Sequence, residues 1–149
     1  MIGKSNKILL GFFVMLFFAA WGAEAANVTI PDPNLEIALR EALAAANVPG
    51  GPHNGKWLPA IPQGAIDDAA LGDENFNIVL DISNKNITKL DGLEYATKLT
   101  GLNASNNKIS SLSYTSGTTV KNVLAGLGNA TTVNLSNNSI IPFSKFNVA

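Results

Sequence analysis

A short pattern recurs three times in the second half of the chain, and it constrains the fold more than any other feature. The three rows begin at Leu80, Leu102 and Val133 and read LDISNKNITKL, LNASNNKISSL and VNLSNNSIIPF. Each row fits or nearly fits the pattern LxLxxNxIxxL. The second row starts 22 residues after the first and the third starts 31 residues after the second, so about nine residues are inserted, most simply in or around residues 113–119.

The spacing within a row has a physical reading. The apolar residues of LxL point inward from a short strand, the Asn turns the chain and bonds neighbouring backbone groups, and the later Ile and Leu fill the layer behind. A single row cannot bury its own apolar side, so stacked rows pair their strands into a parallel sheet. We expect an α/β fold, a short solenoid of about three repeats over residues 77–149, with structural turn residues Asn84, Asn107 and Asn138.

Two positions depart from the row pattern. Lys85 occupies the turn-Asn position of row one, with Asn84 beside it, and Ala104 replaces the second Leu of row two. Row one is therefore interpreted as a transition from an N-terminal cap, which we place at residues 26–76 together with a Gly/Pro-rich loop.

The predicted cap contains one helix. Asp32 is its expected N-cap and Pro33 its first residue, where the missing N–H costs nothing, and the helix should extend to about Ala46. Its apolar stripe includes Leu35, Ala38, Leu39, Ala42 and Leu43, whereas Glu36, Arg40 and Glu41 lie off that stripe.

Residues 48–64 contain four Pro and four Gly, which excludes a helix or central strand there. We expect a loop, either functional or a mobile insertion, with Trp57 packing over the cap helix. Residues 65–71 could form a short helical turn, and residues 27–30 form a short β-prone stretch.

Residues 1–25 have the composition of a secretory signal peptide. Lys4 and Lys7 precede an apolar run from Ile8 to Ala20, and the small-residue sequence Ala-Glu-Ala ends at residue 25. The alternative is an uncleaved anchor, but the run is shorter than the roughly 20 residues that a membrane-spanning helix needs. The expected location is secreted, periplasmic or at the cell surface, with no membrane span after cleavage.

The composition excludes several kinds of catalysis and binding. Zero Cys excludes disulfides and thiolate catalysis, and a pI of about 5.7 without a Lys/Arg block disfavours nucleic acid as a partner. A Ser-His-Asp arrangement would have to use His53, which lies in the Gly/Pro-rich loop. Adjacent acidic pairs at 67–68 and 73–74 are interpreted as helix N-termini and solvated turns. We therefore expect no catalytic residue, metal ligand or cofactor.

These segments resemble the bacterial extracellular leucine-rich repeat proteins, of which the internalin-like group is the best-known kind. The period of 22 residues falls within the 20–29 residues of such repeats. VTIPDPNLEIALREAL resembles their N-terminal capping helix, and LDISNKNITKLDGLEYATKLTGLNASNNKISSL resembles their repeat. The resemblance implies non-catalytic protein binding on the concave face of the sheet.

Side chains that alternate outward from the strands define that expected face. Apart from Val79 and Gly101, its predicted binding residues are small and polar: Asp81, Ser83, Asn103, Ser105, Thr132, Asn134 and Ser136. The face lacks aromatic residues and Arg, which dominate binding hot spots, so we expect a weak protein partner, a glycan, or no ligand on this face. Aromatic side chains elsewhere, such as Tyr95 and Tyr114, are the available anchors. The alternatives are a self-associating structural surface protein and a truncated fragment of a longer repeat protein.

Overall fold

The computed structural model describes residues 25–51, 57 and 65–141. Its helices are α1 (Pro33–Ala45) and α2 (Asp68–Leu71), with 3-10 turns at Glu74–Phe76 and Leu93–Tyr95. Its strands are β1 (Val79–Asp81), β2 (Gly101–Asn103), β3 (Ser113–Ser116), β4 (Thr119–Asn122) and β5 (Thr132–Asn134). Except for Ala25, the predicted signal peptide lies outside the described residues, as do His53 and most of the Gly/Pro-rich loop.

A three-stranded parallel sheet in the order β1-β2-β5 joins the three rows. Leu80 is aligned with Leu102, and Leu102 with Val133, so the strands pair in the register that the sequence rows predict. The pairing continues past the strand ends, since the Ile82 N–H donates to the Asn103 carbonyl at 2.8 Å and the Ala104 N–H donates to the Asn134 carbonyl at 2.8 Å. The expected mixed α/β class with a parallel sheet is confirmed.

The core follows the apolar positions of the rows. These positions are almost completely buried in the first and second rows, and the leucines of α1 are buried with them. The buried set includes Leu35, Leu39, Leu43, Leu80, Ile82, Ile87, Leu90, Leu102, Ala104 and Ile109. Row three is less covered, because Val133 is 44 % exposed although it is aligned with two buried leucines. Burial therefore decreases from α1 toward β5.

Asp32 links α1 to row one. One carboxylate oxygen accepts hydrogen bonds from the backbone of Asn34 and Leu35, which confirms the predicted N-cap. The other oxygen accepts from the N–H and hydroxyl of Thr88, both at 2.7 Å, and from the N–H of Lys89. Burial alone would raise the pKa of Asp32, but the hydrogen bonds from Thr88, Leu35 and Lys89 outweigh it and hold the pKa below its usual value.

Arg40 corrects one expectation about α1. The sequence places it off the apolar stripe, yet it is only 1 % exposed. Its guanidinium forms an ion pair with Glu36 at 2.7 Å and lies 5.9 Å from the centre of the Trp57 ring. Trp57 is buried and packs over α1 as predicted. The surface that it covers is not wholly apolar, because it includes the Arg40 guanidinium.

The insertion between rows two and three contains an antiparallel hairpin. Strands β3 and β4 pair from Ser113 with Asn122 to Ser116 with Thr119, around a turn in which Gly117 has a φ of 60°. The sequence predicts the site of the insertion but not this pairing. The expected β-prone stretch at 27–30 forms only one bridge, between Asn27 and Asp67. Within the described ranges, no helix has the length and apolarity needed to cross a membrane.

Candidate functional site

The outward side of the parallel sheet carries two rows of aligned side chains. We call this surface the sheet face and define it by the strand positions of Val79–Gly101–Thr132 and Asp81–Asn103–Asn134, together with the serines that follow, Ser83, Ser105 and Ser136. Val79, Asp81, Thr132, Asn134 and Ser136 are exposed, whereas Ser83 and Asn103 are half-buried. The surface is small and predominantly polar.

Ser105 is not accessible, which corrects its assignment to the binding face. It is 6 % exposed, and its hydroxyl donates to the Asn103 side-chain oxygen at 2.8 Å. Gly101 is also buried, and a Cβ there would lie 2.8 Å from the Thr132 hydroxyl and 3.3 Å from Val79. The absence of a side chain at Gly101 therefore leaves room for the two β-branched residues on either side.

The aligned polar side chains also stabilise their own turns. Asp81 accepts from the Ser83 N–H at 2.9 Å, Asn103 from the Ser105 N–H at 3.3 Å and Asn134 from the Ser136 N–H at 3.0 Å. Hydrogen bonds from the Ser83 backbone and hydroxyl are the main reason why the pKa of Asp81 is lowered. Each side chain thus has one oxygen engaged locally, which fixes its orientation on the sheet face.

Two of the three predicted turn residues connect adjacent rows. The buried Asn107 side chain accepts from the N–H groups of Lys85 and Ile87, both at 3.0 Å, and its amide donates to the Ile82 carbonyl at 2.8 Å. Asn138 repeats this arrangement one row later, where it accepts from the Ile109 N–H at 3.0 Å. The turns of rows one and two are therefore each held by an amide from the following row.

Asn84 has a different role from these two amides. It is exposed, has a φ of 57° and shares this left-handed conformation with Asn106 and Asn137, which occupy the same row position. Asn tolerates that conformation better than most residues. Lys85, at the bridging-amide position of row one, instead forms an ion pair with Glu41 at 3.2 Å, so its side chain contacts α1.

A second polar cluster, which the sequence did not predict, lies where the hairpin meets the turn at Leu93–Tyr95. The Lys121 ammonium donates to the Tyr95 hydroxyl at 2.7 Å and lies 4.8 Å from the centre of that ring. It also lies 3.5 Å from a carboxylate oxygen of Glu94, to which the Tyr114 hydroxyl donates. We call these four residues the tyrosine–lysine cluster.

The cluster alters the ionisation of its members. Burial and the neighbouring Glu94 carboxylate raise the pKa of Tyr114 to about 12. The hydrogen bond to Tyr95 is the main reason why the pKa of Lys121 is raised. Both groups therefore keep their protons at neutral pH, and the cluster holds one ammonium against one carboxylate. From the sequence, only Tyr95 and Tyr114 were identified, as separate aromatic anchors and not as members of a cluster.

No known family model matches the chain, and no curated protein matches it. Among the residues that the structure describes, no group of three or more His, Asp or Glu side chains is arranged to hold a metal ion.

Proposed function

We propose that the chain is an exported leucine-rich repeat module whose sheet face binds another protein without catalysis. The proposal includes the solenoid arrangement of the rows, the N-terminal capping helix and a location outside the cytoplasm. The observation that carries it is the aligned ladder of outward positions on β1, β2 and β5, whose side chains are exposed on β1 and β5 and half-buried at Asn103 of β2. Repeat proteins commonly use the side chains of stacked strands as an extended binding surface.

The chemistry of the sheet face favours a partner with a polar surface. Asp81 gives the face a negative charge beside the neutral amides of Asn103 and Asn134, and Val79, 62 % exposed, is its largest apolar group. Local hydrogen bonds already orient the three polar side chains, so binding requires little further ordering of these groups. A face with one apolar contact and few charges fits a protein partner that binds weakly.

The test compares arginine substitutions on and off the face. Val79→Arg and Thr132→Arg place bulky charged groups on the sheet face without removing any of the turn hydrogen bonds described above. Ser110→Arg adds the same group at an exposed position outside the strands. Each protein is used to capture partners from envelope and extracellular extracts. We expect the unmodified chain and Ser110→Arg to retain the same protein, and Val79→Arg and Thr132→Arg to lose it. Equal capture by all four proteins would overturn the proposal.

Self-association is a second candidate function, favoured by the incomplete burial of row three. Val133 and Ile141 are 44 % and 63 % exposed, and β5 pairs with β2 on one side only within the described part of the chain. An exposed sheet edge can pair with another chain. Sedimentation equilibrium distinguishes the two: a concentration-dependent mass that Val133→Lys abolishes supports self-association, whereas a constant monomer mass rejects it.

A further inference from the structure

A solvent-open cavity lies beside the tyrosine–lysine cluster, away from the sheet face. Its volume is about 390 Å³, and its walls come from three separate segments: residues 27–31, the turn containing Asp91 and Tyr95, and the hairpin residues Tyr114, Thr115 and Lys121. Small-molecule sites in proteins usually enclose roughly 300 to 1,000 Å³. The cavity is therefore large enough for a small ligand.

Asp91 is the ionisable wall group whose charge is not balanced within the cavity. In the described part of the chain, no other residue donates a hydrogen bond to its carboxylate, and burial raises its pKa. Lys121 does not supply the missing partner, because its ammonium is engaged by Tyr95 and Glu94. Its own backbone N–H and the nearby Lys89 charge stabilise this carboxylate, but burial outweighs both. A ligand that brings a further donor would stabilise it more.

The charges and rings of the wall indicate which ligand class fits. With Lys121 paired to Glu94, Asp91 is the remaining charge on the cavity wall; Lys89, outside the wall, offsets part of it, and the negative charge disfavours anions. Two phenol rings line the same cavity, and aromatic faces attract organic cations. The Lys121 ammonium already occupies one face of the Tyr95 ring, 4.8 Å from its centre, so a ligand cation would use the Tyr114 ring or the other face of Tyr95.

We propose that this cavity binds a small organic ammonium group, with Asp91 as its counter-ion and the rings of Tyr95 and Tyr114 as its apolar walls. The same chemistry is carried by free amines and by lysine side chains of a peptide. The proposal does not depend on the sheet face, since none of the wall residues belongs to it.

The experiment measures binding to the purified protein by NMR titration with choline, with n-butylammonium and with a short lysine-containing peptide. Dimethylbutanol, the neutral isostere of choline, separates charge recognition from apolar packing. Asp91→Asn removes the counter-ion, and Thr115→Arg adds a cation to the cavity wall. Thr118→Arg adds the same charge to the hairpin at a residue that does not line the cavity.

The proposal expects at least one ammonium probe to bind at least about tenfold more tightly than dimethylbutanol, equivalent to about 1.4 kcal/mol. Asp91→Asn and Thr115→Arg should each weaken that binding by a similar factor, and Thr118→Arg should leave it unchanged. Preference for the peptide over the free amines would identify lysine side chains as the source. No binding of any ammonium probe, equal binding of the neutral isostere, or unchanged binding in both cavity variants would overturn the proposal.

Discussion

Replacing Asn107 by Ala should cost more stability than any other single change in the row turns. The side chain is buried, and its carbonyl oxygen accepts two hydrogen bonds, from the N–H groups of Lys85 and Ile87. Its amide donates to the carbonyls of Ile82, Ala104 and Ser105. Five hydrogen bonds therefore depend on one side chain: three connect row two to row one, and two lie within row two.

Not all of these partners would be left without a hydrogen bond. The Ala104 carbonyl also accepts from Asn138, and the Ser105 carbonyl also accepts from the Asn84 N–H. Water can reach Lys85, which is only half-buried. The Ile87 N–H and the Ile82 carbonyl belong to buried residues. At about 1 to 3 kcal/mol for each buried group left unsatisfied, with partial relaxation of the turn, the expected loss is about 2 to 4 kcal/mol.

Urea unfolding followed by circular dichroism measures this loss. The matched control is Asn106→Gly, because Asn106 is exposed and its φ of 56° suits glycine; we expect a change of less than about 1 kcal/mol there. Asn138→Ala should fall between the two, at about 1 to 2 kcal/mol, since Asn138 is only half-buried. A loss below about 1 kcal/mol for Asn107→Ala would refute the bridging role.

Three further predictions concern other parts of the chain. Asp32→Asn should destabilise the protein by about 1 to 3 kcal/mol at neutral pH. The pKa of Asp32 is lowered in the folded protein, so its contribution to the free energy of unfolding is complete above the unfolded pKa of about 3.9 and is lost as the pH falls through the folded pKa. In urea melts, the stability of the variant should therefore depend less on pH in the acid range. Gly126→Ala should prevent stable folding, because its Cβ would lie 1.9 Å from the Glu94 carbonyl oxygen. Thermal melts should therefore show no folding transition for this variant, whereas Gly128→Ala should melt like the unmodified chain. Alkaline titration of tyrosine absorbance should detect ionisation of Tyr114 at about pH 12, and Glu94→Gln should lower that pKa.

The strand register was predictable because it depends on a local pattern that recurs. Leu80, Leu102 and Val133 occupy equal positions in their rows, and parallel pairing of equal positions places the apolar sides of all three rows on the same side of the sheet. The N-cap at Asp32 was predictable for a similar reason, because capping is decided within the first turn of a helix. Its two hydrogen bonds with Thr88, 56 residues away, have no comparable local signal.

The features that the sequence did not indicate come from contacts between distant segments. Arg40 is buried because Trp57 and Glu36 surround its guanidinium, and helical periodicity alone assigns a charged residue to the surface. Ser105 is buried although the strand alternation points it outward with Ser83 and Ser136. Alternation gives the direction of a side chain but not how much neighbouring groups cover it.

The tyrosine–lysine cluster and the cavity were not predicted from the sequence for the same reason, because distant segments form them. Glu94, Tyr114 and Lys121 are brought together by the hairpin, whose polar sequence identified an insertion but not its pairing partner or its position against the rest of the fold. Asp91 gave no signal on its own, since an isolated acid in a turn is ordinarily solvated. Sequence patterns therefore located the sheet face, whereas the second candidate site required the three-dimensional arrangement.

The most direct test of the proposed binding function uses the absence of cysteine from the chain. Single cysteines at Val79, Thr132 and, as a control, Ser110 can each carry a photo-crosslinker without competing labelling. After irradiation in envelope and extracellular extracts, the account predicts that the Val79 and Thr132 probes cross-link to the same protein and that the Ser110 probe does not. Cross-links from all three positions, or cross-links from the control alone, would contradict the assignment of the sheet face as the binding surface.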